Sequence, residues 1–442
     1  MIRNKHSLRR LSALISCLSL VALAGCGAVS TGTDAESAST LRPTEEEKMA
    51  VRMVQAIFDQ YAINGKSEDT DFVNLKEYHN AVQSGFLWSN FCGVGMQYYM
   101  CRLYPDDREQ KEIFRKMINN FLFFRQSDSA SNGAENSVKY HSARGTVMNL
   151  GSGDCFFDDN IWVARNYLRA YEILGDAWFL EEAIRVNNWV LSGWNEKLGG
   201  IVWSEAGLAP DADVQHLERG LSANACSIMV NAKLSQLAAT SEESSFYLAW
   251  AERFYEFCKK MQNLPETYDY WNGIHTIYQD GAFQDGGINK VHYSYNSGSM
   301  ILANLALFDC TEDAEKRAAY LDDAIKTAAA AYQTFHTYDV DSESSYYRGD
   351  PWFAAILNEA YYEMWQRGLE SADQYMNSFA ENVAFAYSNR DEGTGLCPYQ
   401  AVWKVTWDKN ESYVIHQTGF AERAVLAALC SVSQKAASTS SN

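Results

Sequence analysis

Two adjacent aspartates are the clearest candidates for chemistry in this chain of 442 residues. Asp158 and Asp159 follow a Gly-rich turn and stand where apolar residues begin to recur at helical spacing, which predicts a helix start. Two neighbouring carboxyl groups can work as a pair, one ionised and one protonated, as the hydrolysis of a glycosidic bond requires. Acids at a helix start also cap backbone N–H groups and favour the helix dipole, so capping is the alternative.

The elements that would position this pair are helices. Apolar periodicity predicts twelve of them and no convincing alternating strands. Their expected spans are Thr44 to Ala62, Gly85 to Leu103, Asp106 to Phe124, Asp158 to Leu174, Asp176 to Leu191, Leu221 to Ala239, Glu242 to Met261, Ser294 to Phe308, Glu312 to Phe335, Pro351 to Arg367, Ser371 to Ser388 and His416 to Ser431.

Short and long connections alternate between these helices. Short turns close helical hairpins, whereas six long segments join one hairpin to the next and must emerge at one end: 64–84, 125–157, 193–220, 262–293, 336–350 and 389–415. Helices that follow long segments are apolar nearly all round, and those that follow short turns carry a charged face. We therefore predict an all-α fold, a single-domain (α/α)6 barrel of inner and outer helices, with an open solenoid as the alternative. Asp158 and Asp159 would then begin an inner helix in a loop-lined cleft.

The N-terminus has the layout of an export signal. Four basic residues precede an apolar run too short to span a bilayer, and the run ends in Leu23-Ala24-Gly25-Cys26. This ending resembles a bacterial lipobox, so we expect residues 1–25 to be removed and Cys26 to be lipidated; a plain cleaved signal is the alternative. Residues 26–43 read as a flexible tether, 44–435 as the catalytic domain and 436–442 as a disordered tail. These features predict an exported, lipid-anchored protein of the cell envelope.

Charge and cysteine spacing exclude several classes of function. The net charge is −19, and no cluster of Lys or Arg occurs, so nucleic acid is a poor partner and a neutral or cationic ligand is favoured. None of the ten cysteines stands in a Cys-x-x-Cys or Cys/His ligand pattern, which excludes the common zinc and dithiol sites. Phosphate-loop, dinucleotide and serine-nucleophile motifs are missing as well. We expect no metal and no cofactor, and a monomer.

Several segments together resemble glycoside hydrolase family 76, the α-1,6-mannanases. The resemblance spans most of the mature chain and is weakest before Asn90 and after Asn389. It rests on these motifs: Phe157-Asp158-Asp159-Asn160-Ile161-Trp162, Ala170-Tyr171-Glu172-Ile173-Leu174-Gly175-Asp176, Gly199-Gly200-Ile201-Val202-Trp203-Ser204, Leu221-Ser222-Ala223-Asn224-Ala225, Tyr278-Gln279-Asp280-Gly281, Tyr293-Ser294-Tyr295-Asn296-Ser297-Gly298 and Tyr347-Arg348-Gly349. Ser297 departs from the family pattern, where Gln is expected, and Ser204 stands where Asn is common.

The resemblance implies an (α/α)6 fold and a retaining mechanism that cleaves α-1,6-mannosidic linkages in mannan. Asp158 would be the nucleophile and Asp159 the general acid/base. Seven further side chains are expected to bind substrate: Asp280, Trp203, Tyr295, Asn296, Asn224, Trp88 and Asn90. Each has a structural alternative, as a turn acid for Asp280, as core for the aromatics and as helix caps for the asparagines.

Three other functions remain open from the sequence. A transglycosylase would use the same acids but transfer the glycosyl group to a sugar, and a surface glycan-binding lipoprotein would need neither acid. An unsaturated-uronide hydrolase on the same ring would require basic residues in the cleft, which are sparse near these motifs.

Overall fold

The computed structural model describes residues 43–63, 71–127, 134–340, 343–398 and 412–440. Twelve helices occur in these ranges, each overlapping one predicted from the sequence, so the prediction of a mostly helical protein is confirmed. They are α1 Glu45–Tyr61, α2 Leu87–Leu103, α3 Arg108–Asn119, α4 Phe157–Leu174, α5 Ala177–Leu191, α6 Leu221–Leu237, α7 Ser241–Lys259, α8 Ser294–Cys310, α9 Ala314–Phe335, α10 Pro351–Gln366, α11 Ala372–Ser388 and α12 Val414–Ser440.

The helices pack as neighbouring pairs of one buried and one partly exposed member. Each of α2, α4, α6, α8 and α10 packs against the helix that follows it, and α12 packs against α1. The even-numbered helices also contact one another in the order α2, α4, α6, α8, α10 and α12, and α12 in turn contacts α2. Helices α2, α6 and α8 are buried on nearly every side, because they carry apolar or small residues all round.

The expectation of no strands is wrong. A three-stranded antiparallel sheet joins β1 Arg219–Gly220, β2 Trp271–Gln279 and β3 Ala282–His292, and a two-stranded one joins β4 His336–Asp339 and β5 Ser344–Tyr347. Much of β2 and β3 is exposed on both faces, so the hairpin lacks the alternation of apolar and polar residues that marks a half-buried strand. The dipeptide Asp280-Gly281, with positive φ at both residues, is the hairpin signal that the prediction overlooked.

Buried amides tie the long loops to the starts of inner helices. Asn224, the fourth residue of α6, accepts from the backbone N–H of Ile201 (2.9 Å) and donates to the carbonyl of Gly220 (2.7 Å). Asn90 and Asn160, the fourth residues of α2 and α4, make equivalent pairs of bonds with loop and helix-start backbone. Gln417, the fourth residue of α12, exchanges both of its backbone bonds with Cys397 in the preceding loop. Each tie satisfies backbone groups that burial would otherwise leave unpaired.

The last helix is longer than expected. It continues to Ser440, so residues 436–440 are helical rather than part of a disordered tail. No glycine or proline follows Gly419 to end it. The predicted signal, the tether and Cys26 lie outside the described residues. Within the described ranges no helix combines the length and the apolar character that crossing a membrane requires.

Candidate active site

A cavity of about 400 Å³ opens where several inner helices begin. Five of the nine side chains predicted at the active site line it: Asp158, Asp159, Trp88, Trp203 and Tyr295. They come from α2, α4, α8 and the loop before α6, so segments far apart in sequence meet at one place. The remaining lining residues are Phe86, Phe91, Ser142, Asp154, Phe156, Trp162, Ser222, Trp352, Phe353 and Tyr413.

The two aspartates do not cap their helix. The N-cap position of α4 belongs to Phe156, whose side chain makes no capping bond, and Asp158 and Asp159 follow inside the first turn. The first N–H of the helix is satisfied from outside it, because the backbone N–H of Phe157 donates to the Trp203 carbonyl at 3.0 Å. The carboxyl groups of Asp158 and Asp159 are thereby left for interactions across the cavity.

Asp158 is enclosed by protein apart from its access to the cavity. Burial raises the pKa of its carboxyl to about 6, against hydrogen bonds from Ser222 and Trp162 that lower it. The Ser222 hydroxyl donates to Asp158 Oδ1 at 2.8 Å, and the Trp162 indole N–H donates to the Ser222 Oγ at 3.1 Å. These donors favour the ionised form of Asp158, which is the form that a nucleophile needs.

Asp159 holds its proton more tightly than its neighbour. Burial, and then the charge of Asp158, raise the pKa of Asp159 to about 8. Between about pH 6 and pH 8, Asp158 is therefore ionised while Asp159 is protonated. Two carboxyl groups whose pKa values differ in this way can act as nucleophile and general acid.

Aromatic side chains form most of the cavity wall. Trp88 stacks on Phe353 at 6.5 Å between ring centroids, and Tyr295 packs on the same ring at 4.4 Å. Trp203 is held between Phe156 and His216 and still keeps 41% of its surface exposed. Exposed aromatic faces next to carboxyl groups suit a sugar ring, whose C–H faces are apolar and whose edges carry hydroxyls.

Four side chains predicted to bind substrate lie away from the cavity. Asp280 is exposed in the tight turn between β2 and β3, which agrees with its alternative as a turn acid. Asn90 and Asn224 are buried and bonded to backbone in the ties described above, and Asn296 is buried and donates to Asn272 Oδ1 at 3.2 Å. None of the four lines the cavity. The sequence places the asparagines correctly at the starts of buried helices, but the side chains of Asn90 and Asn224 bond to backbone and that of Asn296 bonds to β2.

Ser142, Ser222 and Asp154 are the serine and acidic lining residues that the sequence analysis did not select. Ser222 is a single serine in a run of small residues, and no local pattern separates it from its neighbours. Asp154 stands four residues before Asp158, inside the Gly-rich turn. It is exposed at the cavity, and its spacing from the acid pair is the signal that was available.

A second cavity of about 220 Å³ lies among the C-terminal halves of the inner helices. Its charged lining is largely engaged in ion pairs, with Arg169 at 2.6 Å from Glu359 and Arg165 bonded to the same oxygen. Burial opposes ionisation of Glu359, but the two arginines lower its pKa to about 2. This charge network ties α4 to α10, and we assign it to structure.

The described residues hold no cluster of three or more His, Cys, Asp or Glu side chains that could bind a metal. The eight cysteines of the described ranges are free thiols, seven of them buried. At the acid pair, the side chains in hydrogen-bond contact are the carboxyl group of Asp158, the hydroxyl of Ser222 and the indole of Trp162.

Comparisons with solved structures show the fold. A glycoside hydrolase family 76 mannosidase from Bacteroides thetaiotaomicron VPI-5482 superposes with a TM-score of 0.71 at 17% identity, covering 88% of this chain and 100% of its own. The GH76A α-1,6-mannanase of Salegentibacter sp. HEL1_6 gives a TM-score of 0.65 at 18% identity, covering 87% and 99%. An inactive variant of that mannanase, with alanine in place of two consecutive aspartates, was solved with α-1,6-mannotetrose; its TM-score is 0.63 at 18% identity, with the same coverage.

A sequence profile identifies the family. No curated protein matches the chain. The profile of glycosyl hydrolase family 76, however, matches residues 73–440, which is most of the sequence and includes every lining residue of the cavity. This chain belongs to glycosyl hydrolase family 76.

Proposed function

We propose that this protein is a retaining glycoside hydrolase that cleaves α-1,6-mannosidic linkages in mannan. The observation that carries the proposal is the pair of adjacent carboxyl groups at one cavity, whose environments separate their pKa values to about 6 and about 8. A retaining mechanism needs one ionised and one protonated carboxyl group close to the same anomeric carbon. Adjacent residues of one helix turn can provide both.

In the first step, the Asp158 carboxylate attacks the anomeric carbon while the bond from this carbon to the glycosidic oxygen breaks. Asp159 gives its proton to that oxygen, and the leaving sugar departs as an alcohol. The product is a glycosyl ester of Asp158, and Asp159 is left ionised. Esterification removes the charge of Asp158, so the repulsion that raised the pKa of Asp159 is relieved and Asp159 can remain ionised.

In the second step, ionised Asp159 accepts a proton from water as the water oxygen attacks the anomeric carbon. The bond from this carbon to Asp158 breaks, and Asp158 returns to its carboxylate form. Two displacements at one carbon restore its original configuration, so the released sugar is the α-anomer. Each residue ends in its starting protonation state.

The cavity and the neighbours support the proposed substrate class. The Salegentibacter mannanase was solved with α-1,6-mannotetrose, and Trp88, Trp203 and Tyr295 offer aromatic faces for successive sugars here. We also propose that the even-numbered helices close into an (α/α)6 barrel, supported by the contact between α12 and α2. Such a ring would gather the long loops around the acid pair.

We further propose that the mature protein begins at a lipidated Cys26 and is exported to the cell envelope as a monomer. The sequence features that support this are the basic start, the short apolar run and the lipobox-like ending at Cys26. Labelling cells with a radioactive fatty acid should mark the wild-type protein and not a Cys26→Ala variant. Equal labelling of both would contradict the lipid anchor.

The proposed activity is tested by incubating the purified protein with unbranched α-1,6-mannan and separating the products. Shorter α-1,6-mannooligosaccharides should accumulate. Products longer than an added acceptor sugar would indicate transglycosylation, and binding without any product would indicate a glycan-binding protein. Replacing Asp158 or Asp159 with Asn should abolish product formation while the far-UV circular dichroism stays unchanged.

A further inference from the structure

We propose that Ser222 is a positioning residue for Asp158, fixing which carboxylate oxygen attacks the substrate and holding the group in its ionised form. The inference rests on the proposed function, because it assumes that Asp158 is the nucleophile. It assigns a role to a side chain on a different helix from the acid pair.

The hydrogen bonds around Ser222 favour donation from its hydroxyl to Asp158. An indole nitrogen is only a donor, so the Trp162 N–H at 3.1 Å must point at the Ser222 oxygen. The hydroxyl has a single proton, and Asp158 Oδ1 lies 2.8 Å from its oxygen. Ser222 also bonds the Tyr295 hydroxyl, but an ionised carboxylate is the stronger acceptor, so that proton is directed at Asp158. Asp158 Oδ1 is thereby engaged, and we assign the attack to Oδ2.

The bond between Ser222 and Asp158 is built into the fold. Trp162 follows Asp158 by one turn of α4, whereas Ser222 is the second residue of α6. The start of α6 is held independently by the Asn224 tie and by the pairing of β1 with β2. Ser222 is 4% exposed and makes no capping bond to its own helix, so helix capping does not explain a serine here.

This arrangement has a chemical consequence for Asp158. Burial disfavours the charge that the nucleophile must carry, and the bonds from Ser222 and Trp162 oppose that effect. When Asp158 forms the glycosyl ester, Oδ1 becomes the carbonyl oxygen, and the Ser222 hydroxyl can keep donating to it. Charge returns to this carboxyl group as the ester breaks, so the bond strengthens on the way to the second transition state. Loss of Ser222 should reduce kcat more than it changes KM.

The test compares Ser222→Ala with Ser222→Thr, which keeps the hydroxyl, and with Trp162→Phe, which removes the indole N–H. A matched control is Ser227→Ala, since Ser227 is a buried serine of the same helix that donates to the Ala223 carbonyl instead. We expect Ser222→Ala to lose about 10- to 100-fold in kcat on α-1,6-mannotetraose and to raise the lower apparent pKa of its pH profile by about 1. Trp162→Phe should raise the same apparent pKa by a smaller amount. Ser222→Thr should keep it near the wild-type value, and Ser227→Ala should leave it unchanged.

A titration of the Asp158 carboxyl group by 13C NMR separates this inference from the proposed function, because it needs no turnover. The midpoint for Asp158 should rise in Ser222→Ala relative to wild type. An unchanged titration midpoint for Asp158 would overturn the role of Ser222. An active Ser222→Ala enzyme whose pH profile keeps the wild-type lower pKa would overturn it as well. A wild-type protein that does not cleave α-1,6-mannotetraose would overturn the proposed function instead.

Discussion

The carboxyl groups of Asp158 and Asp159 at the start of α4 have different neighbours, although both belong to one helix turn. Burial raises the pKa of both, but Asp158 accepts a hydrogen bond from Ser222, whereas Asp159 additionally feels the charge of Asp158. The difference arises from the contacts of each side chain, since both residues are aspartates in one helix turn. Acid and base roles can therefore be assigned from the surroundings of each carboxyl group.

The separated pKa values predict a bell-shaped pH dependence. As pH rises through about 6, Asp158 ionises and activity should increase; as pH rises through about 8, Asp159 loses its proton and activity should fall. The measurement is kcat/KM on α-1,6-mannotetraose between pH 4.5 and 9.5, a range set to about 1.5 pH units beyond each limb. A profile that is flat across this range would contradict the assigned roles.

The raised pKa of Asp159 predicts that the protein loses stability at high pH. The folded-state pKa of Asp159, about 8, lies above its model-peptide value of 3.8, so the folded state binds the proton more tightly and stability is lost as pH rises between these values. Asp159→Asn cannot ionise, and we expect it to raise Tm by a few degrees at pH 8.5 but little at pH 5. Calorimetry at both pH values checks this, with Asp154→Asn, an exposed carboxyl group at the cavity, as control. An equal effect of Asp159→Asn at the two pH values would contradict the prediction.

At the scale of elements, side-chain amides at inner-helix starts hold the loops that shape the cavity. Asn90, Asn160, Asn224 and Gln417 each exchange two hydrogen bonds with backbone near their helix. An amide offers a donor and an acceptor in a fixed geometry, which matches a backbone segment that needs both. These residues act on the cavity through the loops and do not line it.

Loss of one tie should destabilise the fold. Asn224→Ala leaves the buried Ile201 N–H without its partner, and we expect about 2–4 kcal/mol less free energy of unfolding. Asn188→Ala is the control, because the one bond of its side chain, to the Asn136 carbonyl, is exposed and should cost less than about 1 kcal/mol. Urea unfolding followed by fluorescence measures both. Equal values for the two variants would argue against the structural role.

The hairpin between β2 and β3 makes a separate prediction about Asp280. Because this side chain lies in an exposed turn outside the cavity, Asp280→Asn should keep kcat/KM within about twofold, and Asn suits the same turn. Trp203→Ala, which removes a cavity wall, should raise KM about tenfold or more. A larger loss of kcat/KM for Asp280→Asn than for Trp203→Ala would indicate that Asp280 binds substrate.

The sequence predicts the helices, and the position of the two aspartates at a helix start, because both depend on local patterns. The spacing of apolar residues and the turn residues at each end locate α4, and the two aspartates are visible at its start. Side-chain direction is not local, which explains why Asn224 was expected at the substrate and lies in a tie. Ser222 was missed for the same reason, since its role depends on α4 and α6 meeting. The β2–β3 hairpin was missed because it is buried only near Ile274 and Thr276 and much of the rest is exposed, so its sequence shows no sustained alternation of apolar and polar residues.

At the scale of the whole molecule, the net charge of the chain and the charge of the cavity lining are both negative. The chain carries a net charge of −19, and the cavity lining contains three aspartates and no Lys, Arg or His. A negative potential in a cleft repels anions and is screened by salt. Neutral polysaccharides are therefore favoured over acidic ones.

This charge distribution predicts discrimination against phosphorylated substrates. We expect kcat/KM for α-1,6-mannotetraose carrying a phosphate monoester to be at least about tenfold lower than for the neutral sugar at 20 mM salt, where the Debye length is roughly 20 Å. The gap should narrow at about 0.5 M salt, because screening weakens the repulsion. Competition assays with both sugars in one tube measure the ratio. Equal rates at low salt would show that the cavity charge does not select the substrate.

The most direct test of the central claim is the configuration of the first product. Proton NMR of α-1,6-mannotetraose mixed with enzyme resolves the α and β anomers before they interconvert. A retaining mechanism through Asp158 and Asp159 predicts that the α-anomer appears first and that neither Asp158→Asn nor Asp159→Asn releases product. Initial release of the β-anomer, or full activity in both variants, would contradict the account.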